Sequence, residues 1–254
     1  MMIPVAVAAA RASEIKFVVE PALGERIRVW ARTHLQPDPY GAGLFADEYD
    51  TTTLYFDTPD YDAFHRRGSF GRARYRIRRY GSSEAVFVER KLRRGQVLAK
   101  RRTQVPLDDL KDLGQAVKSD RWAAKWFERR LIARRLVPVC QVSYHRMARG
   151  MMTTQGVARL TLDSSVAARE SETVRFSSTH GTRILADNLI LELKFRTFMP
   201  AVFKGLIEEF RLNPQTASKY RLGIAAVKNF DLSTAGTRHE GRTGRPVVED
   251  RRSA

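Results

Sequence analysis

Arg72, Arg74, Arg76 and Arg78 occupy every second position of "GRARYRIRRYG" (71–81). On a β-strand, side chains two residues apart share a face, so these guanidinium groups form one cationic row opposite Ala73, Tyr75, Ile77 and Arg79. A planar guanidinium grips two oxygens of an anion at once, and a row of them suits a polyanionic ligand. The pattern recurs along the chain. "EAVFVERK" follows the turn signal "YGSSE", reads as the second arm of a β-hairpin, and aligns Phe87, Glu89 and Lys91. "LAKRRTQV" aligns Lys100, Arg102 and Gln104, and "SEIKFVVE" aligns Glu14 with Lys16. "NLILELKFR" sets Ile190, Glu192, Lys194 and Arg196 against an apolar face of Leu189, Leu191, Leu193 and Phe195.

These residues need strands to carry them. "CQVSYHRMA" places Arg146 on the side of Tyr144, "VARLTLDSS" sets Arg159, Thr161 and Asp163 opposite Ala158, Leu160 and Leu162, and "TTTLYFDTP" alternates Thr53, Tyr55 and Asp57 with Leu54 and Phe56. About eight such strands are predicted, most with one charged and one apolar face. Residues 106–136 and 199–212 carry apolar side chains at helical spacing, including Leu107, Leu110, Leu113, Val117, Trp122, Trp126 and Leu131 in the first and Val202, Leu206, Ile207 and Phe210 in the second. Charges are costly to bury unless they are paired or hold a ligand. The expected fold is therefore α+β: a β-barrel with its charged faces turned inward as a hydrated cationic lumen and its apolar faces outward, clad by helices.

Composition narrows the ligand class. The chain has 254 residues, 45 Lys+Arg against 28 Asp+Glu and a net charge of +17, which favours nucleic acid, anionic lipid or phosphate chains as partners. Nucleic acid is the weaker choice, because the arginines alternate within strands and no helix carries a basic recognition face. No apolar run approaches the roughly 18 residues needed to cross a bilayer. The lone Cys140 sits in the apolar "VPVCQV" and reads as a buried, inert thiol, and the five histidines show no paired metal-ligand spacing. A cytoplasmic location is expected. Residues 1–12 read as a flexible N-terminus, 13–230 as the folded domain, and 231–254, rich in Gly, Ser, Thr and charge, as a disordered tail. The acidic "YFDTPDYDAF" reads as strand end, turn and helix cap, so its aspartates stand outside the expected site.

Taken in order, "YRIRRYG", "VFVERK", "AKRR", "SYHRMA", "LELKF" and "SKYRLG" resemble the VTC domain family, the polyphosphate polymerase branch of the CYTH-like triphosphate tunnel metalloenzymes, over about residues 13–230. The resemblance implies a closed antiparallel eight-stranded β-barrel, with ATP, triphosphate or polyphosphate bound by cations in its lumen and Mn²⁺ or Mg²⁺ held by a carboxylate. It further implies catalytic roles for Arg76, Arg78, Lys91, Lys100, Arg146 and Lys219, substrate contacts from Lys16, and metal binding by Glu192 with Glu14 as acidic neighbour. Arg74 and Lys194 join the substrate-binding set by strand alternation alone.

The chemistry agrees with these residue types. Phosphoryl transfer needs cations that hold the phosphates in line and neutralise charge developing on the bridging oxygens, and no Ser, Cys or His nucleophile. The resemblance implies transfer of the ATP γ-phosphate to a polyphosphate chain. Hydrolysis of a triphosphate would use nearly the same residues with water as acceptor, and a binding module would hold the same ligands without turnover.

Overall fold

The computed structural model of the protein describes residues 12–94, 97–113, 122–179 and 181–233. In chain order the elements are β1 (Ala12–Val19), α1 (Pro21–His34), β2 (Gln36–Pro37), β3 (Glu48–Asp57), β4 (Ala73–Tyr80), β5 (Ala85–Arg94), β6 (Val97–Pro106), α2 (Lys125–Ala133), β7 (Val137–Thr153), β8 (Gly156–Glu170), β9 (Thr182–Arg183), β10 (Leu189–Arg196), α3 (Ala201–Glu209) and α4 (Lys219–Lys228). The expected flexible N-terminus and tail fall almost wholly outside the described residues, as does Val117.

The class is α+β, but the expected closed barrel is not what forms. The strands make one antiparallel ten-stranded sheet in the order β1-β10-β8-β7-β3-β4-β5-β6, with β2 added to β7 and β9 to β8, and no ladder joins β1 to β6 among the described residues. The reason lies at the edge of β1. There the Gln215 amide donates to the Lys16 carbonyl at 2.8 Å, and Lys16 Nζ donates to the Ala217 carbonyl at 3.1 Å, so the segment between α3 and α4 takes up the edge that closure would need. The sheet nevertheless curls strongly. Six strand spacings separate β1 from β5, about 29 Å in a flat sheet, yet Lys91 Nζ of β5 lies 3.2 Å from Glu14 Oε2 of β1.

Alternation distributes the two faces as the strand patterns require. Phe17, Leu160, Leu162, Leu191 and Leu193 face outward and are covered by Ile27, Trp30 and Ala31 of α1 and Phe203 and Leu206 of α3. On the other half, Leu54, Tyr75, Ile77, Val86 and Val88 meet Phe127 and Leu131 of α2. Burying each such side chain contributes about 1.5–3 kcal/mol, enough to fix which face is covered. Pro21 starts α1, where its fixed φ suits the first turn.

Several local expectations change. Arg72 ends a 3-10 turn (Phe70–Arg72) ahead of β4, so the strand row begins at Arg74. Segment 106–136 yields a 3-10 turn (Asp108–Asp112) and α2. α1 and α4 are helices that the apolar spacing did not single out. α4 lies against the inner face of the sheet, where Tyr220 and Ile224 pack with Tyr55, Cys140, Val142 and Ala168. Gly223 permits that approach: a Cβ there would meet Cys140 Sγ and Val142 Cγ2 at 3.1 Å. No helix among the described residues is long and apolar enough to cross a membrane.

Candidate functional site

Period-two alternation on β1, β4, β5, β7, β8 and β10, together with the first turn of α4, brings the charged side chains to one cavity of about 130 Å³ on the concave face. It is lined by Arg74, Arg76 and Arg78 from β4, Lys91 from β5 and Arg146 from β7, with Lys16 and Glu14 from β1, Glu192 and Lys194 from β10 and Lys219 from α4. Eight cations thus face two carboxylates. Lys100, also expected in the site, stands beside the cavity on β6 and reaches it through Glu89.

Three carboxylate-centred clusters organise these cations. Arg146 forms a bidentate pair with Asp163 (Nε–Oδ1 2.6 Å, Nη2–Oδ2 2.7 Å), and Lys219 Nζ sits 2.5 Å from Asp163 Oδ2. Both Arg146 and Asp163 are buried. Glu192 is surrounded by Lys194 at 2.8 Å, Lys16 at 3.0 Å and Lys219 at 3.4 Å. Glu89 is held by Arg76 at 2.7 Å, Lys100 at 2.8 Å and Arg102 at 3.2 Å. Glu14 pairs with Lys16 of its own strand at 3.1 Å and, across the seam, with Lys91 at 3.2 Å.

The electrostatics follow from these pairs. Burial and Glu192 push the Glu14 carboxyl upward, but Lys194, Lys16 and Lys91 outweigh them and hold it at about 2. Burial likewise raises Glu192, Asp163 and Glu89, yet their cationic neighbours keep all three below the usual carboxylate range and ionised. Burial lowers Lys91 and Lys100, an effect that Glu14 and Glu89 only partly offset.

Two arginines have no carboxylate partner among the described residues. Arg78 is 7 % exposed; its Nε donates to Thr53 Oγ1 at 3.2 Å, its guanidinium also bonds the Tyr80 hydroxyl, and Glu89 acts on it without forming an ion pair. Arg74 donates to the carbonyls of Phe70 and Ala73, with its guanidinium over the Tyr220 ring. Burial lowers the Arg74 guanidinium, and an anion in the cavity would supply either arginine with a direct ion-pair partner.

Sequence reasoning put Glu89 and Asp163 on charged strand faces but gave them no role; the signal available was their position within an otherwise cationic row. Tyr55, Tyr144, Ser218 and Tyr220 also line the cavity and were not singled out. Asp57, left outside the site, is a structural carboxylate. It accepts from the amides of Thr58, Ala63 and Phe64 and from the Tyr220 hydroxyl, tying the loop after β3 to α4. Cys140 is buried, and its surroundings push the thiol up to about 12, so it is inert at neutral pH.

Solved structures similar to this one include an adenylate cyclase candidate from Bacillus halodurans, with a TM-score of 0.49 and 13% identity over 82% of this chain and 95% of that one. Another is a Hippeastrum adenylyl cyclase candidate with a dominant triphosphatase activity, with a TM-score of 0.46 and 13% identity over 84% of this chain and 95% of the other. No curated protein matches the chain. The profile of the VTC domain family matches residues 11–228, the span that carries every strand and helix just described, and the chain belongs to that family.

Proposed function

We propose that this protein is a metal-dependent phosphotransferase that binds ATP in the concave cavity and passes its γ-phosphate to a polyphosphate chain. The observation that carries this reading is the convergence of eight Lys and Arg side chains on one cavity that also holds two ionised carboxylates, Glu14 and Glu192.

In this reading Arg76, Arg78 and Arg146 grip phosphate oxygens, and Lys91, Lys219 and Lys16 add point charges around them. The pairs to Asp163 and Glu89 fix the guanidinium planes before a ligand arrives, so little reorganisation accompanies charge development on the bridging oxygens. Arg74 and Lys194 extend the cationic lining toward the seam. Lys100 balances Glu89 and leaves Arg76 a share of its charge for the ligand.

The donor set fits Mg²⁺ or Mn²⁺. Both cations take hard oxygen ligands and are commonly held by one or two carboxylates plus phosphate oxygens and water. Glu192 and Glu14 are both ionised and are joined through Lys16 Nζ, so they would supply the protein oxygens, with Lys16 and Lys194 turning toward the phosphates. The metal would neutralise phosphate charge when bound.

The test is to incubate the protein with ATP and Mn²⁺, with and without a short polyphosphate primer, and resolve ADP, free phosphate and polyphosphate. ADP with lengthening polyphosphate is expected. Free phosphate without chain growth would make the protein a triphosphate hydrolase, and ATP binding without turnover would leave a binding module.

A further inference from the structure

Beside the cavity lies a second, larger space of about 770 Å³ that opens from the β1/β5 seam and shares Glu14, Lys16, Lys91 and Ser218 with it. Its outer wall carries Arg66, from the loop after β3, Arg93 of β5 and Arg221 of α4. None of these three has a carboxylate partner among the described residues. Glu14, the one carboxylate lining the space, is already engaged by Lys16 and Lys91. Arg221 is held in place by its Nη2 bond to the Leu232 carbonyl at 2.9 Å and by its position over the Phe64 ring, while its Nε is buried with no hydrogen-bond partner.

Such an arrangement is electrostatically unfavourable by itself. Burial lowers the Arg221 guanidinium, and the like charges of Arg66 and Arg74 lower it further. Arg74, whose own guanidinium is lowered by burial and again by Arg66, lies in the inner cavity, so the unpaired positive charge runs from the vestibule into the site. Exposed lysines and arginines on an ordinary surface separate or pair. Here three backbone elements hold them around one concave space.

We infer that this vestibule is a second anion subsite, in which Arg66, Arg93 and Arg221 hold the part of a linear polyphosphate chain that extends out of the cavity. The inference rests on the phosphate-chain reading of the cavity. A polyphosphate suits the space because it carries charge at every unit and can run continuously past Lys16 and Lys91 from one space into the other. The subsite gives the protein a preference for chain length: tripolyphosphate fills the cavity alone, whereas a long chain engages both.

The experiment compares the affinity of the full chain for tripolyphosphate and for long-chain polyphosphate at fixed ionic strength, in the absence of turnover. The wild type is compared with Arg66→Ala/Arg93→Ala, with Arg221→Gln, and with Arg66→Lys as a charge-retaining control. The long-chain advantage should fall about tenfold in the double variant, as expected for screened, charge-assisted contacts, and should be largely kept in Arg66→Lys. Circular dichroism and the melting temperature report folding, and the exposed Arg66 and Arg93 keep the test valid if Arg221→Gln unfolds. An unchanged ratio of the two affinities in the folded double variant would overturn the subsite. Displacement of the long chain by single-stranded RNA as readily as by polyphosphate would overturn its assigned ligand. Chain-length-dependent binding lost in the variants of a protein that never turns over ATP would retain the subsite and defeat the phosphotransferase reading instead.

Discussion

Glu89 and Glu192 are both buried carboxylates ringed by three cations, yet they are built differently. Around Glu89 the partners are cross-strand neighbours in the β4-β5-β6 ladder: Arg76 stands opposite Glu89, and Glu89 opposite Arg102, with Lys100 two residues along β6 on the same face. Around Glu192 only Lys194 is close in sequence. Lys16 stands opposite Glu192 in the β1-β10 ladder, which joins the first strand of the sheet to the last in chain order, and Lys219 comes from α4, 27 residues further along the chain. Hairpin register between strands adjacent in sequence assembles the first cluster, whereas the second needs the long-range pairing of β1 with β10 and is completed by Lys219 only when α4 docks on the inner face. The first is fitted to orient arginines, and the second gathers lysines from three elements around one carboxylate.

The difference can be broken most severely at Asp163, which pairs with Arg146 and anchors Lys219 beside Glu192 and has no counterpart at the Glu89 cluster. Asp163→Asn leaves two buried cations without their main counter-charge and should cost about 3–5 kcal/mol of stability, measured by denaturant unfolding. A loss under 1 kcal/mol would mean that the pair is not buried as described. Next, if Glu192 holds the metal as proposed, Glu192→Gln should lower metal-dependent turnover by about 100-fold or more while the fold persists, because the metal loses a charged oxygen ligand. Wild-type rates in this variant would remove Glu192 from the site. Glu89→Gln should act more through Arg76 orientation than through stability: about tenfold weaker ATP binding, with a stability cost of about 1–2 kcal/mol because Lys100 and Arg102 remain hydrated. Equal effects of the Glu89 and Glu192 changes on turnover would erase the distinction drawn between the clusters.

The smallest effect concerns pH. The Glu14 carboxyl is depressed from 4.5 to about 2 in the folded protein, so its contribution is fully present above about 4.5 and is lost as pH falls through about 2. Glu192, Asp163 and Glu89 shift in the same direction. The melting temperature should therefore decline on acidification across that window. Glu14→Gln should show a shallower decline, and identical slopes would argue against the seam pair with Lys91.

Much of the site is readable in the primary structure for a local reason. Alternation has a period of two wherever a strand forms, so Arg74, Arg76, Arg78, Lys91, Glu192 and Lys194 declare their shared faces without reference to the rest of the chain. Ten of the eleven expected site residues line one cavity. Glu89 and Asp163 are legible as positions and not as partners, because a strand pattern states which way a side chain points and not what it meets.

By itself, the sequence determined the strand faces, the β4-β5 hairpin, the segregation of charge from apolar surface, and the buried, inert state of Cys140. These depend on local geometry and on the strong cost of burying unpaired charge. Only the tertiary structure decided that the sheet remains open, since a strand edge can be met by another strand or by a connecting segment, and here Gln215 of the α3-α4 connection bonds to Lys16. It also decided that α4 lies inside the curl and carries Lys219 to Asp163 and Glu192. That depends on Gly223 of α4 leaving room for Cys140 and Val142 of β7, which lie far from it in sequence. Contacts of that kind have no period for a sequence pattern to display.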